Sequence, residues 1–285
     1  MDIDECFGAE GAGRWYDLSF NPPERFQIKS AFVAWMDVMG TSRMVERSLR
    51  TSVEQVGKLH QAVLLAAGKC KVSRRGGRPA SRGHIHSMID GVYVVGEREW
   101  IERVLSVVFA SCARVFLLDR EEQNKFFIRA AISFGTFVPS ERIDVWLQKP
   151  KSCNRGVNRN QYVSNIMLGS AFPDAYEAEH SAPPFGIYVG KSARTFGCCK
   201  AGNRMDPLFK WWKGTGLESS KIASLVGTAI LKHIDWLDNH PIETEFIGKG
   251  AKDKLEYYRR CVREYFGLPS SAERFHHEQS SRARP

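Results

Sequence analysis

A short apolar run that ends on a carboxylate constrains this chain more than any other feature. Residues 30–37 read Ser-Ala-Phe-Val-Ala-Trp-Met-Asp. A continuous apolar run of this length, rich in strand formers, fits a strand buried on both faces. Gly40, Thr41 and Ser42 interrupt it, and Ser42 is suited to cap a helix. Beyond them Met44, Val45, Leu49, Val53, Val56, Leu59, Val63 and Leu64 recur at helical spacing. Asp37 is therefore expected where a buried strand ends and a helix begins. A lone polar residue at a strand end is the ordinary explanation for it. That explanation is strained here, because a charge buried without a partner is costly.

The rest of the chain alternates between short strands and helices. Residues 84–89 and 92–95 read as strands flanking Asp90-Gly91. Asp-Gly between two such strands is the strongest short hairpin signal. Residues 100–118 form an amphipathic pattern, and residues 126–138 a long apolar strand with Arg129 embedded. A helix over 169–180, a strand over 185–189 and helices over 222–238 and about 253–266 follow. Residues 68–83 and 148–161 read as polar, basic loops, and residues 192–220 carry Trp211-Trp212 without a readable period. This order predicts an α+β fold: a mostly antiparallel sheet with helices on one face, plus a C-terminal helical extension. Residues 1–30 are expected to be an irregular arm, since Asn21-Pro22-Pro23 stops a helix. Residues 31–190 are the expected core, 191–270 a mostly helical part of the same domain, and 271–285 a disordered tail.

Composition narrows the class of partner. The chain has 285 residues, enough to bury a substantial core. No apolar run approaches the roughly 20 residues of a membrane helix, and the acidic N-terminus lacks a secretory pattern. A cytoplasmic protein without membrane contact is expected. The seven cysteines are scattered and include no Cys-x-x-Cys pair, so neither a zinc site nor a disulfide framework is indicated. The net charge of +9 points to an anionic partner. Nucleic acid is disfavoured, because no recognised binding motif and no basic stripe interleaved with aromatics is present.

Two carboxylates carry the chemistry. Asp37, at the end of a buried strand, and Asp90, at a hairpin tip, can be neighbours in one sheet although far apart in sequence. Facing carboxylates repel unless a cation sits between them, and magnesium or manganese with a triphosphate suits that position. The backbone amides of Gly40, Thr41 and Ser42 open the following helix and can hold phosphate oxygens. For Asp90 the plain alternative is a turn aspartate. His84 and His86 share one face of a strand; a structural, hydrogen-bonded role is favoured for each, with reading a base edge or binding a metal as alternatives.

These residues resemble a family. Val33-Ala-Trp-Met-Asp-Val-Met-Gly-Thr-Ser42 is similar to the metal-and-phosphate motif of class III adenylyl and guanylyl cyclases, and Ile89-Asp-Gly-Val-Tyr93 to their second metal hairpin. Phe127-Ile-Arg-Ala-Ala-Ile-Ser-Phe-Gly135 resembles the strand that follows. Arg159-Asn-Gln-Tyr162 and residues 169–179 resemble the next loop and helix. Order and spacing agree over roughly residues 31–190. The family's transition-state asparagine and arginine are replaced by Pro173 and Glu177. Its base-reading lysine is replaced in the region of His86 and Ser87, and its base-reading aspartate by Val163. With those departures the chain resembles the pyrimidine cyclases of Pycsar antiphage defence, which share the Gly-x-Ala-Phe-x-x-Ala-Tyr-x-x-Glu helix at residues 169–179.

The resemblance implies a class III cyclase-like, ferredoxin-like core. It implies cyclisation of UTP, with CTP as the other candidate, to the 3′,5′-cyclic monophosphate and pyrophosphate. The product would be a second messenger acting on a separate effector protein. Asp37, the Val38 carbonyl and Asp90 would hold two Mg²⁺ or Mn²⁺ ions, with Asp37, Asp90 and Arg129 as catalytic residues. Gly40, Thr41, Ser42 and Arg43 would bind phosphate, and His86, Tyr162 and Asn165 the base. Arg155 and Arg159 are alternatives to Arg129, which can equally be structural, buried against a carboxylate. The family's active sites lie between subunits, which implies a head-to-tail homodimer with residues 169–179 of one chain facing Asp37 of the other. The competing reading is an inactive, cyclase-like nucleotide sensor, prompted by Pro173 and Glu177 and opposed by the retained Asp37 and Asp90. A diguanylate cyclase is disfavoured because the Gly-Gly-Asp/Glu-Glu-Phe signature is missing.

Overall fold

The structure, a computed structural model, describes residues 28–70, 83–138, 167–197, 200–201, 204–205, 207–214, 219–240, 247 and 250–269. The chain divides into two compact units. One comprises Met1–Ser30 with Thr136–Gly169, and the other Ala31–Gly135 with Ser170–Pro285. In the first, the Val138 N–H donates to the Leu168 carbonyl at 2.9 Å across an isolated antiparallel bridge. Most of the expected arm, the loop residues 71–82 and 148–161, and the expected tail lie outside the described residues.

The second unit is built on one five-stranded sheet. Its strands are β1 (Lys29–Val38), β2 (Gly83–Met88), β3 (Gly91–Gly96), β4 (Ile128–Phe137) and β5 (Ile187–Val189). They lie in the order β2-β3-β1-β4-β5. β3 runs antiparallel to β1 and β2, and β5 runs parallel to β4. At one end of β1 the Phe32 ring lies 4.8 Å from that of Phe134, and at the other the Met39 N–H donates to the Phe127 carbonyl. The two contacts make β1 and β4 antiparallel as well. The α+β arrangement with a mostly antiparallel sheet is thus the one the sequence predicts.

The helices are α1 (Thr41–Arg47), α2 (Leu49–Lys69), α3 (Arg98–Leu118), α4 (Ala171–Glu179), α5 (Lys191–Thr195), α6 (Ser219–Asp238) and α7 (Ala251–Phe266). On one face of the sheet Ala34, Met36, Val38, Val92, Val94, Ile128 and Ile132 join a core with Leu59 and Val63 of α2, Val104 and Phe109 of α3, and Ile230 of α6. Strand side chains alternate, so Val33, Trp35, Asp37 and Tyr93 turn to the opposite face. There α4 covers them: Phe172 meets Tyr93 edge-on, and Tyr176 lies against Trp35. Both faces of β1 are therefore buried, which is why its sequence runs apolar without alternating.

Three local expectations differ from the structure. The periodic stretch after Gly40 is two helices, broken at Ser48, whose extended backbone (φ −148°, ψ 92°) caps α2. The inner stripe of α2 is Ser52, Gln55, Leu59, Ala62, Val63 and Ala66, whereas Leu49, Val53 and Leu64 are exposed. Close packing on α3 selects small side chains, and a count of large apolar residues misses these. Ser42 is not the cap of α1; that position is Gly40, in the left-handed region at φ 83°. Finally, the β2–β3 turn is Ile89-Asp90 rather than Asp90-Gly91, because Met88 pairs with Gly91.

The unreadable stretch 192–220 supplies core. Trp211 is fully buried and its indole N–H donates to the Phe185 carbonyl at 2.9 Å. The C-terminal helices are tied in by polar contacts. His233 of α6 meets Glu122 at 2.8 Å, and Arg259 of α7 bridges to Asp235 and Asp238 of α6. Among the described residues no helix is long and apolar enough to cross a membrane.

Candidate functional site

The sheet register assembles the two acids. Asp37 of β1 pairs with Gly91 of β3, so the turn residue Asp90 comes to stand beside it. Gly91 is dictated by packing as much as by the hairpin. A Cβ there would strike the Trp35 indole and come within 2.7 Å of the Met36 carbonyl oxygen. The bare glycine leaves room for the Trp35 indole over β3, where it meets the Tyr93 ring at 4.4 Å in a tilted arrangement. On the other side of β1, the antiparallel pairing with β4 brings Arg129 opposite Asp37, with Nε 3.9 Å from Oδ1.

Asp37 is poorly compensated. Its side chain is 18% exposed, and its Oδ1 is buried with no hydrogen-bond donor among the described residues. A separation of 3.9 Å from Arg129 is too long for a hydrogen bond. Burial pushes the Asp37 carboxyl up to about 7. The Arg129 guanidinium pulls it down and the Asp90 carboxylate raises it. An acid raised so far although a guanidinium stands nearby is one whose ionised form lacks direct ligands.

Arg129 is engaged elsewhere. It forms an ion pair, from Nε to Oε1, with Glu179, a carboxylate only 1% exposed at the end of α4. Its Nη2 lies 2.9 Å from Nδ1 of His180. Burial and the Arg129 charge hold His180 below the usual histidine value. A neutral ring with its proton on Nε2 accepts the guanidinium N–H at Nδ1. The 3.0 Å separation between that nitrogen and Glu179 is then proximity rather than an ion pair. Of the two roles that the sequence left open for Arg129, the buried partner carboxylate is present, and the approach to Asp37 is present with it.

The residues expected to bind phosphate surround the start of α1. Met44 donates its N–H to the Gly40 carbonyl, and the amides of Thr41 and Ser42 belong to the first turn, where a helix supplies no acceptor. The Thr41 hydroxyl is buried and donates to the Val38 carbonyl at 2.6 Å. That bond uses one of the two lone pairs of the Val38 oxygen. Arg43 follows on the exposed side of the helix. His86 is buried opposite Tyr93, its ring stacked 6.2 Å from that of His84. It therefore borders the aromatic cluster of Trp35, Tyr93, Phe172 and Tyr176. Pro173 and Glu177 both lie on the exposed side of α4. Tyr162, Asn165, Arg155 and Arg159 lie outside the described residues.

Sequence reasoning assigned no role to Glu179 and His180. A signal for Glu179 existed: Ala171, Phe172, Ala175 and Glu179 share one helical stripe, so a carboxylate falls on the buried face of α4. No group of three or more metal-binding side chains occurs among the described residues. The available donors are two carboxylates and the Val38 carbonyl, all oxygen, with one buried carboxylate oxygen lacking a donor. That set fits a hard divalent cation completed by phosphate and water oxygens, and does not fit a soft metal.

No family model and no curated protein matches the chain. Among solved structures, a bacterial light-regulated adenylyl cyclase is 12% identical, with a TM-score of 0.40 over 60% of this chain and 80% of that one. A second structure of a bacterial light-regulated adenylyl cyclase is 14% identical, with a TM-score of 0.39 over 64% of this chain and 48% of that one. A class III adenylyl cyclase-like ATP-binding protein from Pseudomonas aeruginosa is 12% identical, with a TM-score of 0.36 over 75% and 45%. Likenesses of this depth carry no argument about what the chain does.

Proposed function

We propose that this chain is a metal-dependent nucleotide cyclase that acts on a pyrimidine nucleoside triphosphate, UTP before CTP. One observation carries the reading: the register that sets Asp37 beside Asp90 at the entrance to α1, with a buried Asp37 oxygen left without a donor. Asp37, Asp90 and the Val38 carbonyl would hold Mg²⁺ or Mn²⁺. The chemistry such ions supply is neutralisation of the triphosphate and acidification of the ribose 3′-hydroxyl. The amides of Thr41 and Ser42, with Arg43, would orient the phosphate chain so that the 3′-oxygen approaches the α-phosphorus in line with the departing pyrophosphate. Gly40, at φ 83°, takes the left-handed conformation from which α1 starts just past the end of β1. Trp35 and Tyr93 hold the carboxylate-bearing strand ends in place by packing. His86, Tyr162 and Asn165 are the residues proposed for the base. A head-to-tail homodimer and a separate effector responding to the cyclic product belong to the same proposal, as does a cytoplasmic location.

The alternative, a nucleotide sensor without turnover, is favoured by one finding. Arg129 is held by Glu179, and neither Pro173 nor Glu177 offers a cation for a transition state. The deciding experiment is incubation of the protein with ATP, GTP, CTP and UTP in turn, with Mn²⁺, and chromatography of the products. A cyclic pyrimidine monophosphate that disappears in Asp37→Ala and Asp90→Ala supports the proposal. Four intact triphosphates, one of them bound with metal, replace it with the sensor.

A further inference from the structure

Glu179 has no part in the function proposed above, yet its position is demanding. A carboxylate 1% exposed persists only when its charge is matched, and the match is Arg129. Arg129 in turn stands between two acids. Asp37 lies on the neighbouring strand 3.9 Å from Nε, and Glu179 forms its ion pair with the same nitrogen from α4. His180, the residue after Glu179, takes Nη2. The end of α4 therefore claims two of the nitrogens with which a guanidinium grips a carboxylate.

We infer that Glu179 is a positioning residue that draws Arg129 off Asp37 and so keeps the Asp37–Asp90 pair available to a divalent cation. The inference rests on the cation reading of those two acids. Two effects act in the same direction. In geometry, a guanidinium released from Glu179 finds Asp37 as the nearest carboxylate and closes on the oxygen that now has no donor. In charge, Glu179 and Arg129 form a neutral pair, so a cation at Asp37 and Asp90 meets two uncompensated carboxylates. Without Glu179, one of these is cancelled by Arg129.

The test is a Mn²⁺ titration of the nucleotide-free full chain, read from the electron paramagnetic resonance signal of free Mn²⁺. Circular dichroism is recorded beside it. Glu179→Gln is expected to weaken Mn²⁺ binding by about 10- to 100-fold, the range found when groups that orient metal ligands are removed. The double variant Arg129→Gln/Glu179→Gln removes the guanidinium as well, and should return the affinity to within about threefold of the original, a coupling that a merely structural role would not produce. Glu179→Asp keeps the charge but reaches Arg129 less well, so its affinity should fall between the two. It carries the test alone if Glu179→Gln does not fold. An unchanged affinity in the folded Glu179 variants, or a double variant as weak as the single one, overturns the inference while leaving the cation site standing. If the unaltered chain binds no Mn²⁺, the cation reading itself fails and takes this inference with it.

Discussion

Asp37 and Arg129 face each other across β1 and β4 at 3.9 Å, close enough to interact electrostatically and too far apart to hydrogen-bond. On its other side Arg129 pairs with Glu179 at the end of α4, and its Nη2 meets Nδ1 of His180. Asp37 is buried, adjacent to Asp90 and without a donor to Oδ1 among the described residues, which suits the cation proposed for this site. Replacing either acid by its amide removes a charged oxygen ligand at little steric cost. Asp37→Asn and Asp90→Asn are each expected to reduce Mn²⁺ affinity at least ~10-fold. Each is also expected to reduce turnover of the accepted triphosphate by ~100-fold or more. Titration and product chromatography measure the two effects separately.

The raised Asp37 acidity predicts a pH dependence of stability. Its carboxyl titrates near 7 in the folded protein against 3.8 for an unburied one. The folded state thus holds the proton more tightly. The stability this contributes is fully present below the lower value, is lost as the pH climbs through the higher one, and changes no further above it. Urea unfolding without metal, compared at about pH 5 and about pH 8, should show a loss at the higher pH that Asp37→Asn abolishes. Saturating Mn²⁺ at the higher pH should restore stability by binding the folded carboxylate.

Gly91 supports the site through packing. Gly91→Ala places a methyl group into the Trp35 indole and against the Met36 carbonyl oxygen. Overpacking of this kind costs about 1–3 kcal/mol. The displaced Trp35 would carry the end of β1 with it, so the variant should combine a lower unfolding midpoint with weaker Mn²⁺ binding. Urea denaturation followed by tryptophan fluorescence measures the first effect.

Ile89 is strained where it stands. It is β-branched, 96% exposed, and held at φ 42° in the first position of the β2–β3 turn. Left-handed backbone at such a residue costs of order 1–3 kcal/mol. Ile89→Asn, which tolerates that conformation, should raise stability by about 1 kcal/mol, visible as an increase in Tm. Should the strain instead aim Asp90 at its ligand, the same variant will bind Mn²⁺ less tightly while melting higher.

Much of the site was legible residue by residue. Asp37 stood out because an apolar run does not ordinarily end on an acid, and Asp90 because Asp-Gly marks a hairpin. A strand end and a hairpin tip can be neighbours in one sheet, and the register of β1 with β3 makes them so. The turn slipped by one residue, since Gly91 serves the Trp35 contact rather than the tip, and a local turn rule does not see a neighbour on another strand. The capping residue was misplaced for a similar reason: Gly40 takes the left-handed conformation that ends β1, and α1 starts from it rather than from Ser42. The α2 stripe was blurred because its inner face sets Ser52, Gln55, Ala62 and Ala66 beside Leu59 and Val63, and those four carry little hydrophobic signal.

The sequence by itself determined the element types, the α+β class and the two acids, because each depends on local periodicity or on one residue's conflict with its surroundings. Only the tertiary structure decided what Arg129 does. Its partner lies 50 positions away on a helix packed over the sheet, and the choice between Glu179 and Asp37 turns on distances that no spacing in the chain encodes. Local rules act over a few residues, whereas charge pairing in a buried site depends on which elements the core brings face to face.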